Sequence, residues 1–175
     1  MDMGTAATLV STEEYLATTF HPDCDYVDGV IEERHVGQKD HSNLQTSIPI
    51  WFWAHRKALR LKAFVEQRLA VTPTRFRVPD VSVVELPAPE EQVFLAPPYI
   101  VIEVLSPDDT FPKLQERLDD YLAMGTPNLW VLEPTSRRAW HITRAGHLEA
   151  LDGVLRTTDG RVSLPVCELF ELDLA

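Results

Sequence analysis

Two apolar, β-type runs dominate the chain, Val78-Pro79-Asp80-Val81 and Ile102-Glu103-Val104-Leu105, and each carries one carboxylate. Burying a charged carboxylate is costly unless something pairs with it. Period-two alternation places Val78, Asp80, Ser82 and Val84 on one face of the first run, and Tyr99, Val101, Glu103 and Leu105 on one face of the second. Neither carboxylate is expected at a turn. Taken singly, Asp80 also reads as a strand-end cap and Glu103 as the partner of an arginine. Taken together with the turn and helix beyond Glu103, they predict a shared cation held by oxygen ligands.

The segment after Glu103 includes Ser106-Pro107-Asp108-Asp109-Thr110-Phe111-Pro112, a turn with helix-start chemistry, Asp or Thr to cap and Pro in the first turn. A helix is predicted over 112–124, stopping at Gly125 with Pro127 just beyond. Its apolar stripe is Leu114, Leu118, Tyr121 and Leu122, with Gln115, Glu116, Asp119 and Asp120 expected to face solvent. Lys113 and Arg117 lie four apart, so both cations point to one side and can reach over the end of the Glu103 strand. The competing account is a surface pair with Asp109, Glu116 or Asp120.

These residues carry a resemblance. Pro79-Asp80, Glu103 in a hydrophobic strand, Ser106-Pro107, a helical basic residue, Tyr121, Gly125 and Pro127 resemble the PD-(D/E)XK nuclease superfamily, and within it the bacterial Uma-type restriction-endonuclease-like branch. The likeness extends upstream to Tyr26-Val27-Asp28-Gly29-Val30-Ile31-Glu32-Glu33-Arg34 followed by His41, and downstream to Trp130-Val131-Leu132-Glu133-Pro134. In the superfamily pattern a Lys follows the Glu by two residues, and here that position is Leu105. In the Uma-type branch the Lys moves to the following helix, where the matching residue is Arg117. Arg keeps its proton and cannot serve as a general base. Lys113, the only Lys after Lys62, could take over that role.

The resemblance also gives Glu33 a match to an acid of the Uma-type pattern, as a third metal or water-positioning carboxylate; its place in the hairpin reads otherwise as a solvated charge. Gln67 shares an expected strand face with Val65, Leu69 and Val71, so it points inward and wants a partner such as Asp80. His41 opens a long helix, where a histidine caps or packs more often than it ligates.

A chain of 175 residues with 45% hydrophobic content builds its own core, and one restriction-endonuclease-like domain over 1–175 is expected. Apolar runs fall short of a membrane span, and the acidic opening of residues 1–5 is not a signal peptide. Cys24 and Cys167 have neither metal spacing nor a disulfide pattern, which points to the cytoplasm. A formal net charge of -11 argues against strong non-specific nucleic-acid binding. Between residues 31 and 77, however, nine basic residues stand against four acidic ones, and a basic half facing an acidic metal site would suit DNA.

The coarse order is a capping box at Ser11 to Glu14, a hairpin over 25–36 turning at Asp28-Gly29, and a helix over 41–59 that Pro49 should kink. Strands are expected at 63–71, 78–84, 99–105, 129–132 and 138–143, with a hairpin over 148–156. Together these give an α/β fold, a restriction-endonuclease-like mixed central β-sheet flanked by helices, with the Asp80 and Glu103 strands in its middle.

The resemblance implies an endonuclease that hydrolyses phosphodiester bonds of DNA. Asp80, Glu103 and the Val104 carbonyl would hold Mg²⁺ or Mn²⁺, with Arg117 or Lys113 beside the scissile phosphate. Neutralising either carboxylate, as in Asp80→Asn, is expected to leave folding intact or slightly improved, since the two repel. One alternative is an inactive nuclease-fold protein that binds DNA or a protein partner, with Arg117 in place of the essential Lys. Another is a homodimer: the cluster Trp51, Phe52, Trp53 leaves at least one Trp without a core position.

Overall fold

In the computed structural model, residues 9–34 and 38–171 are described. Residues 1–5 and the expected end of the first hairpin at Val36 lie outside them. Ser11 caps helix α1 (Thr12–Ala17) as its spacing predicts, its hydroxyl accepting from the Glu14 amide at 3.1 Å. Asp28 and Gly29 take φ values of 49° and 98°, which lets two residues join β1 (Cys24–Val27) to β2 (Val30–Glu33) as an antiparallel hairpin. Helix α2 (Lys39–Leu59) runs through Pro49 and ends at Arg60 in the left-handed region.

The expected strand over 63–71 is two strands in two sheets, β3 (Leu61–Val65) and β4 (Leu69–Thr72). Glu66, at φ 50°, turns the chain between them. Next come β5 (Arg75–Arg77), β6 (Val81–Glu85) and β7 (Ile100–Val104). Helix α3 (Phe111–Met124) stops at Gly125, whose φ of 97° needs no Cβ. The chain continues through β8 (Asn128–Glu133), β9 (Arg138–Thr143), β10 (Gly146–Glu149), β11 (Val154–Arg156), β12 (Ser163–Pro165) and α4 (Glu168–Glu171). Residues 148–156 are not a hairpin: β10 pairs with β9, and β11 pairs with β12.

The large sheet has the order β10-β9-β8-β7-β6-β3, with β7 and β8 its parallel pair and α3 the crossover between them. Alternation along β7 sends Ile100, Ile102 and Val104 to the layer with Leu44, Ile48 and Phe52 of α2, and Val101 to the layer with Leu114, Leu118 and Tyr121 of α3. Glu103 therefore opens on the α3 side. The second sheet, β2-β1-β5-β4, packs its own small core around Tyr15, Tyr26 and Phe76.

Charge ties the second sheet to α3. Arg77, 1% exposed, donates to Asp120 Oδ2 (2.6 Å), Asp25 Oδ2 (3.0 Å), Glu32 Oε2 (3.0 Å) and Glu116 Oε1 (3.1 Å). Arg75 reaches Asp120 and Asp28. Asp120 is thus buried rather than solvent-facing, and four of the nine basic residues between 31 and 77 are held in internal ion pairs, with Arg34 on Asp80 and Arg68 on Asp23 as well, while Lys39, Lys57, Arg60 and Lys62 are exposed. Of the aromatic cluster, Trp51 and Phe52 are buried while Trp53 is 63% exposed, with the Arg56 guanidinium 3.8 Å above its ring. Among the described residues no helix is long and apolar enough to cross a membrane.

Candidate active site

Asp80 lies at a bend rather than inside a strand, where the chain leaves β5 in one sheet to enter β6 in the other. The β6–β7 register, Val81 opposite Ile102, carries Asp80 alongside Glu103. Both carboxylates are 1% exposed, and both line one cavity of about 50 Å³.

Each is anchored differently. Asp80 Oδ2 accepts the Val104 amide at 2.7 Å and lies 3.3 Å from His41 Nε2, while Oδ1 accepts Arg34 Nη2 at 2.5 Å. Glu103 Oε1 accepts the Tyr121 hydroxyl at 2.6 Å, and the nearest cation to Oε2 is Arg117 Nε at 3.8 Å. Arg117 Nη2 donates to Asp109 Oδ1 at 3.0 Å, and Asp109 Oδ2 in turn caps the Ser106 amide.

The electrostatic consequence is a split pair. Burial alone would raise the Asp80 carboxyl, but Arg34 and then His41 outweigh it and hold Asp80 below its ordinary range. Glu103 has less compensation. Burial pushes it up to about 7, with Arg117 opposing and the Asp80 charge adding. Burial would depress His41, but its hydrogen bond and charge contact with Asp80 raise it instead.

Asp80, Glu103, Lys113, Arg117, Glu33 and His41 all line the cavity. Gln67 does not: its amide donates to the Gln92 carbonyl at 2.7 Å and the Arg68 carbonyl at 3.3 Å, because the turn at Glu66 carries it away from Asp80. Lys113 is exposed and makes no ion pair or hydrogen bond among the described residues, whereas Arg117 is committed to Asp109 and Glu103. Sequence reasoning assigned Asp25 no role and gave Arg34 and Ser106 none beyond their place in the motif segments, while Asp109 is the partner that the competing surface-pair account offers Arg117. The signal for Arg34 was its place at the end of the segment Tyr26 to Arg34, directly after Glu33.

The Asp80 surroundings reverse the expected result of neutralising it. Asparagine cannot balance the Arg34 guanidinium, so Asp80→Asn is expected to destabilise the fold, as breaking a buried ion pair does. The loss is about 3–5 kcal/mol, the range for such a break, and the variant should also lose any Mn²⁺-induced rise in melting temperature. Thermal melts with and without Mn²⁺ check both, and a metal-free variant as stable as wild type contradicts the first.

The donors fit a hard divalent cation. Two carboxylates on adjacent chain segments offer oxygen ligands, and Glu103 Oε2 makes no hydrogen bond among the described residues. The buried polar atoms Ser106 Oγ, His41 Nδ1 and Arg117 Nε also lack a hydrogen-bond partner there. The described residues assemble no group of three or more His, Cys, Asp and Glu ligands. Mg²⁺ commonly takes one or two carboxylates and keeps several waters.

Comparison with known proteins gives the family and the fold. The sequence model of the Uma2 family, described as "Putative restriction endonuclease", matches residues 12–175. A crystal structure of a "putative nuclease belonging to DUF820" from Anabaena variabilis ATCC 29413 is 24% identical, with 93% of this chain and 98% of that chain covered at a TM-score of 0.77. It shares the fold, a restriction-endonuclease-like mixed sheet flanked by helices. A DrdV–DNA complex is 13% identical over 78% of this chain and 11% of that one, and its TM-score of 0.44 carries no argument. No curated protein matches.

Proposed function

Because the chain belongs to the Uma2 family, we propose that it is a metal-dependent endonuclease hydrolysing phosphodiester bonds of DNA. Asp80, Glu103 and the Val104 carbonyl would hold Mg²⁺ or Mn²⁺. The observation that supports this most is two buried carboxylates from neighbouring segments opening on one cavity whose other wall is lined by Lys113 and Arg117 of α3. When bound, the ion supplies an attacking water of lowered pKa and neutralises developing charge.

The chain's own residues divide the remaining work. Tyr121 and Arg117 orient Glu103, and the Val104 amide fixes Asp80. Arg117 keeps its proton and balances Glu103, so it does not act as a base. Lys113, free of carboxylate partners among the described residues, is the cation available to a substrate phosphate.

Cleavage of supercoiled DNA in Mg²⁺, Mn²⁺ and Ca²⁺ tests the reading. Lys113→Ala is expected to lower turnover by about 10²-fold, the effect of removing one group that stabilises transition-state charge. Arg117→Lys keeps a charge near Glu103 but loses the Asp109 contact, so measurable cleavage should survive. Full activity in Lys113→Ala would remove it from the site. No cleavage under any metal would leave the fold without this function.

A further inference from the structure

Arg34 directly follows β2, and its side chain, 17% exposed, enters the cavity from the hairpin side. Its Nη2 sits on Asp80 Oδ1 at 2.5 Å. Among the charges acting on its guanidinium, Glu103 is the next strongest after Asp80. The guanidinium therefore lies against Asp80 and within the field of Glu103. Arg117, on α3, places its Nε 3.8 Å from Glu103 Oε2.

A divalent ion shared by Asp80 and Glu103 needs the same Asp80 oxygen and the same field. With His41 and the Val104 amide on Oδ2, Oδ1 is the less encumbered oxygen, and Arg34 holds it. Two cations confined in a buried cavity repel, and little solvent is there to screen them. Resting on the reading of this cavity as a metal site, we propose that Arg34 is an intramolecular counterion occupying the metal's position and leaving it when the metal binds. The protein's affinity for metal is then set by competition between its own arginine and the ion.

The carboxylate pair alone would bind metal with its intrinsic affinity. A competing arginine reduces the apparent affinity by the fraction of molecules in which it has moved aside. Arg34 also has a second function in the metal-free protein, holding the Asp80 charge that would otherwise be buried unpaired. Arg77 serves as the contrast: it is the more deeply buried of the two, but all its partners belong to the structural network rather than to the Asp80–Glu103 pair.

The test is Mn²⁺ binding by calorimetry and electron paramagnetic resonance for wild type, Arg34→Gln and the double variant Arg34→Gln/Asp80→Asn. The expected result is that Arg34→Gln melts lower without metal and binds Mn²⁺ at least about tenfold tighter, as when an occluded fraction of nine in ten is released. The double variant should lose that gain. Equal or weaker binding by a folded Arg34→Gln overturns the competition and leaves the nuclease reading standing. Absence of Mn²⁺ binding in both wild type and Arg34→Gln overturns both.

Should Arg34→Gln not fold, wild-type protein still decides the question. Titration with Mg²⁺, followed through the arginine Nε–Hε resonances, should move the Arg34 signal in step with the Asp80 carboxyl carbon while the Arg77 signal stays in place. An Arg34 signal unmoved at saturating Mg²⁺ overturns the proposal.

Discussion

Replacing Arg77 with methionine is expected to cost about 3–5 kcal/mol of stability, the range for removing one partner of a buried ion pair. Four carboxylates from β1, β2 and α3 converge on that single guanidinium. Asp25 and Asp120 are themselves buried, and burial already raises the Asp25 carboxyl, with Arg77 the main opposing charge. Methionine fills a similar volume but removes the ion-pair partner of Asp25 and Glu32 and leaves Asp120 and Glu116 with Arg75 alone among the described residues. For a chain of this size the melting temperature should fall by about 10 °C. Adding Asp25→Asn should recover part of the loss, because Asn Oδ1 can still accept the Val78 amide while the repelling charge is gone. Chemical denaturation of the three proteins measures it, and a loss below about 1 kcal/mol would place Arg77 among weakly contributing surface pairs. The effect should extend to the cavity, because Asp25 and Glu32 also line it and the hairpin they sit on delivers Arg34.

Much of this site is legible in the sequence. Alternation along 99–105 puts Glu103 on the same face as Val101, and the structure places both on the α3 side. Helical spacing brings Lys113 and Arg117 to the same cavity. The features that stay hidden depend on non-local pairing. Asp80 looks like a strand residue because Val78 to Val84 alternates smoothly, and nothing local shows that the chain changes sheets there. The break at Glu66 uses a left-handed glutamate rather than Gly or Asn, so it lacks a turn signature. Counting basic residues cannot tell which are free. One further signal is present in the sequence: Arg75 and Arg77 are two apart on a strand, Glu116 and Asp120 four apart on a helix, and such matched spacings put both pairs face to face.

Glu103 carries the second large expected effect, a stability profile that falls as pH rises. Burial holds its carboxyl at about 7 in the metal-free fold, against an ordinary 4.5. Between those values the native protein keeps a proton that the unfolded chain has released. Because the folded state binds more protons there, stability declines as pH climbs through the window and levels off above it. A raised His41 contributes in the same direction, and Asp80, held low, contributes nothing until the solution is acidic enough to protonate it. The comparison that isolates Glu103 is therefore Glu103→Gln against wild type, in which the other groups cancel. Gln still accepts the Tyr121 hydroxyl and cannot ionise. The metal-free variant should be more stable than wild type by about 3–3.5 kcal/mol at pH 8, and nearly equal to it near pH 4.5, at the usual 1.4 kcal/mol per pH unit. Added Mg²⁺ should reverse the order, because the ion favours the carboxylate over the acid, so its stabilising effect on wild type grows with pH while the variant gains little. Melting temperatures across pH 4.5 to 8, with and without Mg²⁺, settle the matter. Parallel profiles for the two proteins would mean that Glu103 is balanced by its neighbours, with no charge left over to recruit a metal.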